Sequence, residues 1–261
     1  SQRNLIDYFE NFVLYHKNKV KIIAKNHQFL GVNNAIVALQ NRETNKGKLG
    51  VFWHTQGSGK SYSMIFFSKK IHRKVTGNWS FLIITDRKDL DSQIYRNFLE
   101  TDTIVETKDQ KENYFRPSDR DKLREYLQSN RSYVFTLIHK FGIESGKTFP
   151  QLTDRKDWIV IVDEAHRTQY KNLAENMRIG LPSAQYIAFT GTPLLRSELT
   201  KDWFGSYVSE YNFAQSIEDG ATVPLYYKKS VPRVEQVNPD LVGDAAAILE
   251  DENLSEEQKQ K

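Results

Sequence analysis

His54-Thr55-Gln56-Gly57-Ser58-Gly59-Lys60-Ser61 follows directly on the apolar run Leu49-Gly50-Val51-Phe52-Trp53. That run has the length and the β-branched and aromatic content of a short buried strand. The next segment, Tyr62-Ser63-Met64-Ile65-Phe66-Phe67, opens an apolar-faced helix. Strand, Gly-rich turn and helix, with Lys-Ser closing the turn, is the context a phosphate-binding loop requires. Glycines let backbone N–H groups point at phosphate oxygens, and the helix N-terminus adds partial positive charge. On this reading Gly57, Ser58 and Gly59 form the cradle, Lys60 reaches the β- and γ-phosphates, and the Ser61 hydroxyl ligates Mg²⁺. His54 departs from the strict pattern, which has Gly there. A chance Gly/Ser turn is the plain alternative.

Outward from this loop, further apolar runs recur. Trp79-Ser80-Phe81-Leu82-Ile83-Ile84-Thr85, Tyr133-Val134-Phe135-Thr136-Leu137-Ile138, Trp158-Ile159-Val160-Ile161-Val162 and Gln185-Tyr186-Ile187-Ala188-Phe189-Thr190 all read as strands. Their nearly continuous apolar character belongs to strands buried on both faces, as in parallel sheets. Helical patterns between them imply βαβ units, hence an α/β fold with a mostly parallel sheet flanked by helices. Residues 222–227 are a candidate further strand, and 107–119 a polar surface loop. Upstream, residues 4–16 carry an apolar stripe (Leu5, Ile6, Phe9, Phe12, Val13) that predicts a helix with Asn4 as N-cap. Lys17, Lys19, Lys21 and Lys25 follow as a solvated face or a nucleic-acid contact, and a second helix is expected around Gln28 to Leu39. The resulting division is 1–44 as an N-terminal helical segment, 45–230 as the nucleotide-binding domain, and 231–261 as an acidic linker or tail with a short helix near 245–249.

Asp163-Glu164-Ala165-His166 stands at the carboxyl end of the 158–162 strand, the edge of an open α/β sheet at which ligands bind. Asp163 there would hold Mg²⁺, and Glu164 would orient and deprotonate an attacking water. A lone Asp-Glu at a strand end also serves as an acidic helix start; the upstream phosphate loop decides for chemistry, with Lys60, Asp163 and Glu164 as the catalytic set. Thr190-Gly191-Thr192, after the 185–190 strand, would sense the γ-phosphate.

The composition sets bounds. Among 261 residues there is no Cys, which excludes disulfides, thiol catalysis and zinc-thiolate sites. No run approaches the roughly 20 apolar residues of a membrane span and no signal peptide opens the chain, so a cytoplasmic protein without a membrane partner is expected. Residues 231–261 hold 3 Lys/Arg against 8 Asp/Glu, leaving 34 basic and 25 acidic side chains in residues 1–230. A basic body suits a polyanion such as nucleic acid, and is equally a common route to solubility.

Taken together, the segments 57–61, 163–166 and 190–192 resemble motifs I, II (DEAH) and III of the first RecA-like lobe of superfamily 2 helicases and translocases. That superfamily commonly relaxes the first Gly of motif I, which accommodates His54. Residues 25–33, 52–61, 163–170 and 204–224 are similar, more narrowly, to the motor (R) subunit of type I restriction-modification enzymes. The resemblance covers about residues 20–235. It implies ATP and Mg²⁺ as cofactors and a planar amide, Gln28, that reads the adenine edge; the alternative for Gln28 is a surface residue of the second helix. It implies that Asp86 and Arg87 (motif Ia, with Thr85) and Thr136, His139 and Lys140 (motif Ib) lie along a nucleic-acid backbone, or else are ordinary strand-end polarity. Such contacts position a protein without reading sequence. The implied partners are double-stranded DNA, methyltransferase and specificity subunits, and a second motor lobe, in a bacterial or archaeal cytoplasm. The family's nuclease domain, second lobe with its arginine fingers, and helical docking region have no counterpart in these residues, so the chain is expected to be part of a longer protein. Another superfamily 2 helicase and a non-enzymatic, nucleotide-switched docking module are the two rival readings.

Overall fold

In chain order the described residues form α1 (Gln2–Asn11), β1 (Val13–His16), β2 (Val20–Ile23), α2 (Asn26–Gln40), β3 (Lys48–His54), α3 (Lys60–Lys74), β4 (Ser80–Thr85), α4 (Lys88–Glu100) and α5 (Arg120–Gln128). They continue through β5 (Tyr133–Leu137), a 3₁₀ turn (Ile138–Phe141), β6 (Trp158–Asp163), α6 (Lys171–Gly180), β7 (Gln185–Thr190), β8 (Tyr207–Tyr211) and α7 (Phe213–Glu218). The computed structural model describes residues 2–107, 114–143, 147–164, 171–192 and 202–224.

Six strands make one sheet in the order β5-β4-β6-β7-β3-β8, every pairing parallel. The fold is the expected α/β one. Alternate side chains of a strand point to opposite faces, and the sheet uses both. Phe52, Phe81, Ile83, Ile159, Ile161, Ile187 and Phe189 pack into a core with residues of α2, α3 and α4. Val51, Leu82, Ile84, Val160, Tyr186 and Ala188 pack into a second core with α5, the 3₁₀ turn and α6. That double burial is why the central strands are apolar at nearly every position: β4 and β7 are buried throughout. Within the first core Phe52 and Phe189 stack with centroids 4.5 Å apart, a contact contributing about 0.5–1.5 kcal/mol beyond area burial.

Two local expectations are corrected. The helix predicted for 4–16 ends at Asn11, and Val13–His16 instead pair antiparallel with Val20–Ile23. The β-branched and aromatic residues Val13 and Tyr15 precede a tight turn in which Lys17 and Asn18 take left-handed backbone (φ 51° and 55°), so a hairpin wins over a fourth helical turn. Asn4 therefore lies inside α1 and is not its N-cap. Leu5, Ile6 and Phe9 face solvent, while Phe12 is buried. A cation fixes α1: Lys70 Nζ donates to Asp7 at 2.6 and 2.7 Å and to Asn33 Oδ1 at 2.5 Å. The second correction concerns the last strand. Of the candidate strand 222–227, residues 222–224 are not in a strand and 225–227 lie outside the described residues; the sixth strand of the sheet is β8. Its Tyr-Val-Ser-Glu-Tyr sequence sits half-exposed at the sheet edge and lacks the continuous apolar run that marks the interior strands.

The chain divides into two compact units, Ser1–Val223 and Pro224–Lys261. The acidic tail and its short helix lie outside the described residues. Among those residues, no helix is long and apolar enough to cross a membrane.

Candidate nucleotide-binding site

Because the sheet is parallel, its strands deliver their last residues to one edge: His54 from β3, Thr85 from β4, Leu137 from β5, Asp163 from β6 and Thr190 from β7. The register places Trp53 opposite Thr190 and Asp163 opposite Phe189. The loop 55–59 links β3 to α3 at this edge. Gly57 (φ 84°) and Gly59 (φ 87°) both occupy the left-handed region that side chains disfavour. A Cβ on Gly59 would also lie 2.9 Å from the Gln28 amide nitrogen. The left-handed backbone favours glycine at Gly59, and a side chain there would also displace the Gln28 amide.

Lys60 enters at the first residue of α3, its side chain almost enclosed. Its Nζ donates to the His54 carbonyl at 3.2 Å and stands 4.0 Å from Glu164 Oε1. Gly191 closes the same space: a Cβ there would lie 3.2 Å from Lys60 Nζ and 3.5 Å from Glu164 Oε1. Motifs separated by more than a hundred residues in sequence thus meet within a few ångströms. Glu164 itself adopts φ 52°, uncommon for a non-glycine residue, and its N–H donates to Phe189 O at 2.8 Å. Thr190 is fully buried and its hydroxyl closes a turn with the Thr192 main chain at 3.2–3.3 Å. Asp163 is buried at the end of β6. Burial, and then the neighbouring Glu164 carboxylate, push its carboxyl up to about 7, with Lys60 opposing. Its Oδ1 has no partner, and the buried Ser58 hydroxyl has none either.

Gln28 is 4% exposed in the first turn of α2. Its Oε1 accepts from Lys25 N at 2.8 Å and its Nε2 donates to Gly59 O at 3.0 Å. A primary amide has two lone pairs and two N–H groups, so one of each is used by this chain's own backbone. Beside it, the sequence reading missed a cluster. His27 hydrogen-bonds Ser58 O through its ring (3.1 Å) and stacks on Tyr211 with centroids 3.7 Å apart. The Tyr211 hydroxyl donates to Asp219 Oδ2 at 2.8 Å, and the Thr222 methyl lies over Gly57. The one visible signal was His54, standing where a glycine was expected; the partners come from residues 207–222.

Further along the edge, β4 and β5 bring the two candidate nucleic-acid stretches together, with Thr85 opposite Leu137. Arg87 is exposed and bonds Asp89 at 3.0 Å, and Asp86 is half-buried beside it. Thr136 is buried with an unpartnered hydroxyl. His139 is largely exposed; the partial desolvation of its ring, followed by the nearby Lys140, Lys88 and Arg120 cations, lowers its pKa. Lys140 donates to Pro117 O, and Arg116 bonds the buried Asp91 at 2.5 Å. Lys88 and Arg120 are cations of this edge that the sequence motifs did not single out.

The SWI2/SNF2 ATPase family model matches residues 27–260. The chain belongs to the SWI2/SNF2 ATPase family. This SWI2/SNF2 ATPase chain is 40% identical, over 95% of its own length, to the type I restriction enzyme HindI endonuclease subunit of Haemophilus influenzae, and covers 26% of that protein. It is 33% identical, over 91% of its length, to the putative type I restriction enzyme MjaIXP endonuclease subunit of Methanocaldococcus jannaschii, and covers 23% of it. The chain thus spans about a quarter of the length of these relatives. Among solved structures it is similar to the UvsW helicase of bacteriophage T4, with TM-score 0.53 and 13% identity over 82% of this chain and 67% of that one. It is also similar to the ATP-dependent Type ISP restriction-modification enzyme LlaBIII bound to DNA, with TM-score 0.55 and 15% identity over 77% of this chain and 16% of that one. These structural likenesses establish the RecA-like fold, and the family establishes nucleotide use.

Proposed function

We propose that this SWI2/SNF2 ATPase chain is the ATP-binding lobe of a double-stranded DNA translocase, the motor part of a type I restriction endonuclease subunit. The observation that carries the reading is the meeting of Lys60, Glu164 and Gly191 at one carboxyl edge of the sheet, beside a loop whose glycines hold left-handed backbone. The loop N–H groups and the Lys60 ammonium bind the triphosphate. Glu164 orients the attacking water and takes its proton, while Thr190, Gly191 and Thr192 line the γ-phosphate position. Gln28 positions Gly59 and offers its remaining N–H and lone pair to the adenine edge.

The residues present also fit Mg²⁺. Among the described residues there is no cluster of three or more His, Cys, Asp or Glu, but Mg²⁺ in phosphoryl-transfer sites takes one or two protein oxygens together with phosphates and water. Ser61 and Asp163 would hold it, and the buried, unpartnered Asp163 Oδ1 is an oxygen in need of such a partner. When bound, the ion neutralises charge on the phosphate oxygens. The β4–β5 edge, with Asp86, Arg87, Lys88, Arg120, Thr136, His139 and Lys140, is the surface assigned to the DNA backbone. DNA recognition would come from the specificity and methyltransferase subunits, and a second motor lobe would face the nucleotide; the whole would work in a bacterial or archaeal cytoplasm.

Calorimetric titration of ATP with Mg²⁺ into the 261-residue chain tests the assignment. The expected result is binding that Lys60→Ala abolishes or weakens at least tenfold, since a charge-assisted hydrogen bond is worth about 1.5–3 kcal/mol. Equal affinity for wild type and Lys60→Ala would overturn the phosphate-loop reading.

A further inference from the structure

A glycine is expected at position 54 in the strict phosphate-loop pattern, yet the side chain found there is among the most enclosed in the protein. His54 has no solvent exposure. Its Nε2 shares a hydrogen bond of 2.6 Å with Ser209 Oγ on β8. The ring sits edge-on to His27, Phe52 and Tyr211, with centroids 5.1, 5.2 and 5.9 Å away. Burial, then His27 and Lys60, drive its pKa down to about 3, so the imidazole is neutral at any physiological pH. A neutral ring is what this packing needs, because a charge there would be buried without a counter-ion.

What the ring holds is specific. β8 is an edge strand, half-exposed, and its pairing with β3 is interrupted between Val51 and Phe52. Beyond that shift the ladder runs on from Phe52–Ser209 to His54–Tyr211. Two further contacts join it at the end of β3, the Thr55 N–H donating to Tyr211 O at 3.0 Å and the His54–Ser209 side-chain bond. The His54 carbonyl, on the same residue, is the acceptor for Lys60 Nζ at 3.2 Å. His27, packed on this ring, reaches Ser58 O, and Tyr211, stacked on His27, lies in the same block. The loop is thereby gripped at its entry, at Ser58 and at its lysine by one set of contacts centred on an imidazole.

We propose that His54 is the positioning residue of the phosphate loop: its bond to Ser209 fixes the carbonyl that aims Lys60, so phosphate affinity depends on this side chain. The proposal rests on the phosphate-loop reading and adds to it a side chain that touches no ligand. It makes a prediction opposite to that of the sequence pattern. Replacing His54 by the glycine of the strict motif should weaken the site.

The test measures ATP and ADP affinity of the 261-residue chain by calorimetry, well below every variant's melting midpoint, with the midpoints recorded separately. His54→Gly should lose about tenfold or more in affinity for both nucleotides, and Ser209→Ala a smaller but measurable fraction, the loss of one hydrogen bond being about tenfold at most. His54→Gln, whose amide nitrogen can stand where Nε2 stood, should recover most of the affinity. A merely structural role would lower the midpoints and leave the affinity of the folded variants at the wild-type value; that outcome overturns the proposal. Should His54→Gly not fold, Ser209→Ala decides, and wild-type affinity in it overturns the proposal. Wild type and Lys60→Ala binding ATP equally would instead sink the phosphate-loop reading, and the positioning role with it.

Discussion

The phosphate-loop end of the sheet and the β4–β5 edge are built in opposite ways. Around the loop, side chains are enclosed and bonded to backbone: Gln28 to Gly59 O, His27 to Ser58 O, Lys60 to His54 O, His54 to Ser209. At the β4–β5 edge the cations Arg87, Lys88 and Arg120 stand in solvent beside the exposed His139, with short-range partners such as Asp89. The difference matches the ligands proposed. Transferring a phosphoryl group requires atoms held in place, since catalysis there is positioning plus electrostatics. Holding a sliding polyanion requires charge that can follow many phosphates, and rigid side chains would work against movement.

The contrast can be broken most directly at Lys60. Lys60→Ala should cost at least tenfold in ATP affinity while leaving duplex DNA affinity within about twofold, by the worth of a charge-assisted bond. Filter binding and calorimetry on one preparation would show it. A parallel loss of both ligands would mean that the two regions are not separate.

Acid should act on the loop end. His54 has its pKa lowered in the folded protein, so the unfolded chain takes up a proton first as pH falls below 6.5. Stability is therefore fully present above 6.5 and is lost on the way down, with ~3 kcal/mol gone by about pH 4 from this group. Comparing urea midpoints of wild type and His54→Gln across that range isolates the effect: the mutant should show the shallower decline. Identical slopes would mean that His54 is not buried neutral.

At the other region, removing one cation should change salt dependence and leave stability alone. Lys88→Ala or Arg120→Ala should lower the logarithmic salt slope of duplex binding by about 0.9 if one phosphate contact is lost. Thermal midpoints should stay where they were, because these side chains hold little of the fold. A slope unchanged in both variants would remove the β4–β5 edge from the DNA surface.

The smallest effect is expected at Gln28. Half of its hydrogen-bonding capacity is already spent on Lys25 N and Gly59 O. Gln28→Ala should shrink the preference for ATP over GTP by a few-fold, one hydrogen bond being worth about 1 kcal/mol, and should weaken both nucleotides slightly by loosening Gly59. Unchanged selectivity with weaker binding of both would leave Gln28 as a support of the loop alone.

Much of this protein is legible in its sequence because the physics is local. A parallel strand buried on both faces must be apolar almost throughout, so five of the six sheet strands announce themselves. A phosphate cradle needs glycines at left-handed positions followed by Lys-Ser at a helix start, and an Asp-Glu pair at a strand end repeats the logic. What the sequence could not show is decided by contacts between distant segments. The apolar stripe of residues 4–16 looked helical to its end, but pairing with Val20–Ile23 turned its last residues into a strand and left Leu5, Ile6 and Phe9 outside. β8 had no pattern of its own and exists because the edge of β3 offers it hydrogen bonds. His54 was visible only as a missing glycine; its purpose depends on Ser209, 155 residues away, which no local rule connects to it. Periodicity and turn chemistry fix what a residue does with its neighbours in sequence, whereas the grip on the loop depends on which strand lies alongside, and only the assembled sheet determines that.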